Sequence, residues 1–168
     1  MSPLIKALLP LQPSSVLQTL SEVNSERTSP LADGANSSAG YTGPVVAVDT
    51  FIAIMNNPSL CSASDYVAAN AHAYFDGTVA ASGAGAWVAQ QASNLAATCG
   101  GKAVLITESG WPSAGDPNGA AVASPANQAT AKAGILSSMS NKCVLFSAFD
   151  DAWKVPGQYD VEQHWVRF

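Results

Sequence analysis

The chain has 168 residues, which is enough for one ordinary domain with its own hydrophobic core. It is 48% hydrophobic and only 11% charged, with a formal net charge of -5 and seven Lys and Arg residues. Because phosphate binding needs a basic stripe, this balance argues against nucleic acid as a partner. No apolar run is long enough to cross a bilayer, and the N-terminus from Met1 to Pro13 is a poor signal peptide because prolines interrupt its apolar patch.

Helix-like and strand-like segments alternate along the chain. A Ser-Ser start followed by apolar residues at helical spacing predicts a helix over residues 14–27, and residues 28–43 are predicted to form a loop. Beyond that loop, four short apolar runs predict strands and three further segments predict helices. The predicted strands are residues 44–49, 66–71, 102–107 and 143–148, and the predicted helices are residues 50–56, 85–98 and 125–139. Strands that alternate with helices imply βαβ units, so the predicted fold class is α/β with a parallel sheet.

Polar or aromatic residues follow or close every predicted strand. They are Asp49, residues 70–75, residues 108–111 and residues 150–154. Because the carboxyl ends of parallel strands meet at one edge of a sheet, where ligands bind in such folds, these residues predict a functional site at that edge. A carboxylate at the end of a buried strand is costly unless it has partners or a chemical role, so Glu108 is the first candidate for a catalytic group.

The number of strands limits the architecture. A closed (β/α)8 barrel takes about 250 residues, whereas this chain is shorter and has four convincing strands. Two architectures fit: a small open sheet, or the C-terminal half of a (β/α)8 barrel. The half barrel would leave sheet edges exposed, and exposed edges invite self-association.

A seven-residue segment carries a resemblance to a known family. Residues 107–113, TESGWPS, resemble the signature of family-17 glycoside hydrolases, the β-1,3-glucanases and β-1,3-glucanosyltransferases. The segments GPVVAVDTF, LCSASDYVAANAHAYFDG and FSAFDDAWKVPG are similar to the fungal cell-wall branch of that family. The resemblance runs from about Gly40 to Trp165. It implies that residues 40–168 are the C-terminal half of a (β/α)8 barrel, equivalent to strands five to eight, and that residues 1–39 are a poorly matched helix and linker.

The resemblance also implies a reaction. Glu108 would be the nucleophile of a retaining mechanism, which needs two carboxyl groups about 5 to 5.5 Å apart. The family's general acid lies in an Asn-Glu pair at the end of the fourth strand, and the sequence contains no such pair. The predicted function is therefore a retaining β-1,3-glucan hydrolase or glucanosyltransferase of the fungal cell wall, in a truncated form without its acid. The alternative is an inactive glucan-binding or fragment protein of the same family.

Other residues match the family's glucan cleft and the polar cluster beside its nucleophile. The candidate substrate-binding residues are Asn70, His72, Tyr74, Phe75, Trp111, Asp151, Lys154 and Glu162. Simpler roles stay open: a salt bridge at the rim for the charged residues, a core position for Phe75 and loop packing for Trp111. Trp87 and Trp165 are predicted to lie in the core. The sequence lacks metal-ligand spacing and a dinucleotide-binding glycine pattern, so neither a metal nor a cofactor is expected. By family resemblance the protein would act outside the cell, at the cell wall.

Three cysteines leave the redox state open. One disulfide with one unpaired cysteine fits an oxidising compartment, and three buried free thiols fit a reducing one. Cys99 and Cys143 each precede one of two neighbouring predicted strands, so they are predicted to pair. The competing pairing is Cys61 with Cys99.

Overall fold

A computed structural model of the chain describes residues 43–166. The helix predicted over residues 14–27 lies outside these residues. Internal contacts divide the chain into two units, and every strand and helix reported below belongs to the second, Val45–Phe168. The predicted boundary between residues 39 and 40 stays a prediction. None of the helices among the described residues is long and apolar enough to cross a membrane.

Strands and helices alternate as predicted. The strands are β1 (Val48–Thr50), β2 (Val67–Asn70), β3 (Val104–Ser109) and β4 (Cys143–Leu145). The α-helices are α1 (Phe51–Asn56), α2 (Ser59–Ser62), α3 (Ala84–Thr98) and α4 (Pro125–Met139), and single turns of 3-10 helix cover Ala73–Phe75 and Ala81–Gly83. The short α2 is not predicted from the sequence. The predicted third strand ends two residues before β3 does, and the predicted fourth strand ends three residues after β4.

The four strands form one parallel sheet in the order β1-β2-β3-β4. Each strand therefore pairs with the next strand along the chain, after a helical crossover. This sequential order is the arrangement of consecutive strands in a (β/α)8 barrel. The carboxyl ends of all four strands lie at the same edge of the sheet, as the sequence analysis expected.

Burial falls from the middle of the sheet to its ends. The first three residues of β2, Val67 to Ala69, are buried, as a strand with neighbours on both sides and helices over it should be. On the end strands, Val48 of β1 is 47% exposed and Val144 of β4 is 53% exposed. The sheet thus has a covered centre and two open margins within the described residues.

Local capping explains why α4 begins where the sequence predicts. The Ser124 hydroxyl accepts a hydrogen bond from the Asn127 backbone N–H at 3.1 Å, and Pro125 occupies the first turn. A serine N-cap followed by proline satisfies one orphan N–H and removes another. The helix then packs on α3, where Gly85 lies directly against the Gly134 backbone.

The disulfide joins Cys61 to Cys99, with the two Cα atoms 5.3 Å apart, and Cys143 is a free thiol. The predicted Cys99–Cys143 pair is therefore wrong, and the competing pair is the one formed. Cys143 lies within the sheet, because it is the β4 residue in register with Ile106 in the middle of β3. Cys61 belongs to α2, which is tied to the loop before β3 by Lys102, whose ammonium donates to the Cys61 carbonyl at 2.6 Å.

The close approach of α3 and α4 predicts opposite effects for two Gly→Ala variants. A Cβ at Gly85 would lie 2.2 Å from the Gly134 carbonyl oxygen, whereas a Cβ at Gly134 would have its nearest contact at an ordinary 3.6 Å. We expect Gly85→Ala to lower the free energy of unfolding by about 1–3 kcal/mol because the helices must move apart. Gly134→Ala is the matched control and should be neutral or stabilising by up to about 1 kcal/mol, since alanine favours helix. Urea denaturation measures both, and equal losses in the two variants would contradict the packing argument.

The chemistry of Cys143 gives a second test. Burial raises the pKa of the Cys143 thiol from 9.0 to about 11. Only the thiolate reacts with disulfide reagents, so at about pH 8 the folded chain should react roughly a hundredfold more slowly than an ordinary thiol. Unfolding in guanidinium without a reductant should then release one reactive thiol per chain. Fast labelling of the folded chain, or a peptide that links Cys99 to Cys143, would contradict the assignment.

Candidate active site

The site is built around an irregularity in β3. Against β2, Ala69 is in register with Ile106 but Asn70 is in register with Glu108, so β3 contains one extra residue, Thr107. Consecutive residues of a strand point to opposite faces, and residues in register on neighbouring parallel strands share a face. Ile106 and Glu108, two residues apart, therefore lie on opposite faces of the sheet. Without the extra residue they would share one.

The pairing of β3 with β4 agrees with this reading. Ile106 is in register with Cys143 and Ser109 with Leu145, so three steps along β3 correspond to two steps along β4. Ile106 and Ser109 are both completely buried, whereas the Glu108 side chain is 39% exposed. Bulges of this kind often lie next to active sites, where they redirect a side chain. Here the bulge turns the carboxylate of Glu108 away from the buried face.

Within residues 43–166, His72 is the basic group that lies against Glu108. Its Nε2 lies 3.6 Å from Glu108 Oε2, and its side chain is only 14% exposed. The backbone holds the two residues together, because the Ala71 N–H donates to the Glu108 carbonyl at 2.9 Å. The other ring nitrogen of His72, Nδ1, is buried without a hydrogen-bond partner among the described residues. The imidazole therefore directs its Nε2 edge at the carboxylate.

Asn70 lies on the other side of the bulge. Its Oδ1 accepts a hydrogen bond from the Thr107 hydroxyl at 2.7 Å, which ties the end of β2 to the extra residue of β3. No hydrogen bond joins the amide nitrogen of Asn70 to another residue of the described chain. This amide remains available as a donor at the carboxyl edge of the sheet.

Aromatic side chains surround the His72 imidazole. Its ring centroid lies 4.9 Å from that of Trp165, 5.7 Å from that of Phe146 and 6.2 Å from that of Phe75, all in edge-to-face arrangements. Trp165 is buried, as predicted, and Phe75 is 48% exposed. Edge-to-face contacts fix ring orientation and add to the burial of apolar surface. Three aromatic rings thus pack around the imidazole, and of the three the Phe75 ring is the one most exposed to solvent.

Tyr74 and Trp111 belong to the core, although the sequence analysis proposed both as sugar-binding residues. Neither side chain has exposed surface. Their rings meet edge to face at 5.1 Å, and the Trp111 indole N–H donates to the Val122 carbonyl at 3.0 Å. Burial raises the pKa of Tyr74 above its ordinary value, and its hydroxyl donates to the Asp116 carbonyl. With no free face to offer a sugar, both rings instead support the loops beside the site.

Asp151 and Lys154 form an ion pair at the rim, with 2.8 Å between Nζ and Oδ2. The ammonium also lies 4.7 Å from the centroid of the Phe146 ring, a cation–π distance. Phe146 also contacts His72, which faces Glu108. The Asp151–Lys154 pair is therefore connected through the Phe146 ring to the cluster formed by Glu108, His72 and the surrounding aromatic side chains. Glu162 lies elsewhere, with its Cγ beside Gly157, and forms no ion pair within the described residues.

Comparisons with known proteins identify the family of the chain. Residues 13–165 match the BtgE/BtgC glycoside hydrolase domain. The chain belongs to this family. The matched range includes residues 14–27, and this match together with the fungal family 17 proteins described next confirms the predicted membership of the fungal branch of family 17.

Curated relatives of this BtgE/BtgC domain are fungal proteins. The chain is 59% identical to the cell surface mannoprotein MP65 of Candida albicans over 128 residues, which are 76% of this chain and 34% of that protein. It is 57% identical to the probable family 17 glucosidase SCW10 of Saccharomyces cerevisiae over 135 residues, which are 80% of this chain and 35% of that protein. The chain spans about a third of the length of these relatives.

Solved structures show the same fold. The family 17 β-1,3-glucanosyltransferase of Rhizomucor miehei superposes with a TM-score of 0.69 at 23% identity, over 87% of this chain and 52% of that one. An active-site mutant of that transferase in complex with laminaritriose superposes with a TM-score of 0.68. These matches and the sheet order confirm the predicted fold, a partial (β/α)8 barrel of four parallel strands.

Phe146 is the residue of the BtgE/BtgC site that sequence reasoning missed. The sequence predicts Phe146 inside a strand over residues 143–148, but β4 ends at Leu145. Phe146 therefore follows the strand, against His72 and under Lys154. An aromatic residue near the carboxyl end of a predicted strand was the available signal. Within the described chain, no group of three His, Cys, Asp or Glu side chains is arranged to hold a metal ion.

Proposed function

We propose that this BtgE/BtgC domain acts on β-1,3-glucan, with Glu108 as the nucleophile of a retaining glycoside hydrolase or glucanosyltransferase. The observation that carries the proposal is the bulge in β3, which turns Glu108 to the open face beside His72. Glu108 is a partly exposed carboxylate at the carboxyl edge of a partial (β/α)8 barrel. Catalytic groups of such folds lie at that edge. The names of the relatives, a glucosidase and a β-1,3-glucanosyltransferase, support the substrate class.

The proposed reaction begins with attack of a Glu108 carboxylate oxygen on the anomeric carbon. The bond between the anomeric carbon and the leaving oxygen breaks, and its electron pair goes to that oxygen. A glycosyl-enzyme ester with Glu108 forms. Water gives hydrolysis in the second step, and a sugar hydroxyl gives transfer. His72 Nε2, 3.6 Å from the carboxylate, would orient it for attack. Asn70 and Phe75 would contact the sugar, the first through its amide donor and the second through its exposed ring face.

The leaving oxygen also needs a proton, which a general acid supplies at a gain of about 10²- to 10⁴-fold. The 168 residues contain no Asn-Glu pair, the family's acid motif. Glycosyl transfer to Glu108 is therefore best tested with a leaving group that departs without a proton. The same test addresses the alternative, a glucan-binding protein without turnover.

We expect 2,4-dinitrophenyl 2-deoxy-2-fluoro-β-laminaribioside to label Glu108. Dinitrophenolate needs no protonation, and the fluorine slows hydrolysis of the ester, so the covalent adduct should accumulate. Intact-mass measurement and peptide mapping detect it. Laminarin, whose leaving group needs the acid, should be cleaved about 10²- to 10⁴-fold more slowly than by an enzyme with a complete site.

Two variants control the labelling. Glu108→Gln should abolish the adduct, and Asp160→Asn should retain it, because Asp160 is an exposed carboxylate outside the cluster at a φ of 52° that asparagine tolerates. Absence of the adduct with retained laminarin binding would favour the binding protein. Absence of both would overturn the proposed function.

The proposed location is the cell wall, outside the cell. The relative from Candida albicans is named a cell surface mannoprotein. The Cys61–Cys99 disulfide supports the same location, since disulfides persist in oxidising compartments and are rare in the cytosol.

We propose as well that copies of the chain associate through the open margins of the sheet. Among the described residues, β1 and β4 each pair with one neighbour, and unpaired strand edges template further pairing. Val144→Lys places a charge on the edge strand and should weaken association in sedimentation velocity. Leu136→Lys, at a 46% exposed position on α4, is the matched control and should leave it unchanged. A wild-type monomer throughout the micromolar range would contradict the proposal.

A further inference from the structure

The segment after β4 exposes an unusual amount of apolar surface. Phe149 is 75% exposed, Trp153 75% and Val155 78%, the three highest values among the exposed large hydrophobic residues of the described chain. They lie within seven consecutive residues. Exposed apolar patches on soluble proteins generally mark interaction sites. Trp153 is the largest of the three and has no role in the site described so far.

The backbone around Trp153 is held in place although its side chain is exposed. The Lys154 N–H donates to the Asp151 carbonyl at 2.9 Å and closes a turn. The Gln163 side-chain amide donates to the carbonyls of Ala152 and Lys154, on either side of Trp153. Because the turn is fixed before any ligand arrives, little conformational freedom remains to be lost when one binds.

Charged groups stand beside the exposed indole. The Lys154 ammonium lies 5.7 Å from the Trp153 ring centroid and 4.7 Å from that of Phe146, and it pairs with Asp151. Phe146 contacts His72, which faces Glu108. Trp153 is thus connected to the proposed nucleophile through three intervening side chains. It makes no direct contact with Glu108 or His72 among the ring and charge contacts of the described residues.

We propose that Trp153 is a stacking platform for a distal glucosyl unit of a β-1,3-glucan bound at Glu108. The inference rests on the proposed function and adds to it a subsite and its ligand. One face of a glucopyranose ring presents C–H groups, which pack against an aromatic face, while its hydroxyls both donate and accept hydrogen bonds. The Trp153 indole supplies the face, and the Asp151–Lys154 pair supplies an acceptor and a donor beside it. A patch that has both fits a sugar better than a purely apolar partner.

The platform predicts a dependence on chain length. If Trp153 holds a distal unit as proposed, laminaribiose bound at Glu108 does not reach it, whereas laminarihexaose extends over it. Loss of the indole should therefore weaken binding of the hexaose by about tenfold and leave that of the biose unchanged. Catalysis is not needed for this readout, so it is measured in the Glu108→Gln background by isothermal titration calorimetry.

Three further variants in that background make the test specific. Trp153→Ala removes the platform, and Trp153→Phe should restore most of the hexaose affinity because it keeps an aromatic face. Val155→Ala, which trims an equally exposed but non-aromatic side chain of the same segment, should have no effect. Bound hexaose should also protect Trp153 from collisional quenching by iodide, a change that should be missing in Trp153→Ala.

The outcomes separate this proposal from the proposed function. Equal hexaose affinity in Glu108→Gln with and without Trp153→Ala, or an equal loss for biose and hexaose, would overturn the platform. If Trp153→Ala changes the sedimentation of the purified chain but not its affinity for the hexaose, the patch binds a second copy of the chain. That result would also overturn the platform. Labelling of Glu108 by the fluorinated donor is measured independently, so the platform can fail while the nucleophile stands.

Discussion

One extra residue in β3 sets the chemistry of the site. A regular strand would put Glu108 on the same face as Ile106, which is completely buried. Burying an ionised carboxylate there would be costly, and the group would no longer meet a substrate. The insertion of Thr107 relative to β2 moves Glu108 to the opposite face while Ser109 stays in the core. The strand thus keeps its packing and exposes its carboxylate, and the contact of Glu108 with His72 depends on that exposure.

His72 connects Glu108 to the aromatic side chains around the site. Its Nε2 faces Glu108, and the rest of its ring is enclosed by aromatic side chains from the loop after β2, the end of β4 and the C-terminal segment. Among these, Phe146 carries the contact onward to the ammonium of Lys154. Residues far apart in sequence therefore share one cluster at the carboxyl edge of the sheet. Rotating the imidazole would disturb contacts on three sides, so the packing fixes the direction of Nε2.

Features set by local sequence were predictable, and features set by long-range register were not. The start of α4 follows from Ser124 and the proline after it, and Glu108 was recognised because an apolar run stops there. The bulge at Thr107 appears only when β3 pairs with its two neighbours, against each of which β3 has one extra residue, and no single segment encodes that pairing. The pairing of Cys61 depends on the position of a four-residue helix without periodicity. Trp111 is buried by contacts with distant residues, so a motif that looks like an exposed loop is in fact core.

On the proposed assignment, different parts of the fold bind the glucan and cleave its glycosidic bond. The nucleophile belongs to β3, but the groups suited to hold a sugar come from the loops after β2 and β4, on either side of it. Each of those groups is positioned by contacts within residues 43–166: Phe75 by Trp165, and Lys154 by Asp151 and Phe146. A general acid would act on the leaving oxygen and has no part in those contacts. Its presence would therefore change the rate of cleavage by orders of magnitude while leaving the geometry of glucan binding on this side of the cleft unaltered.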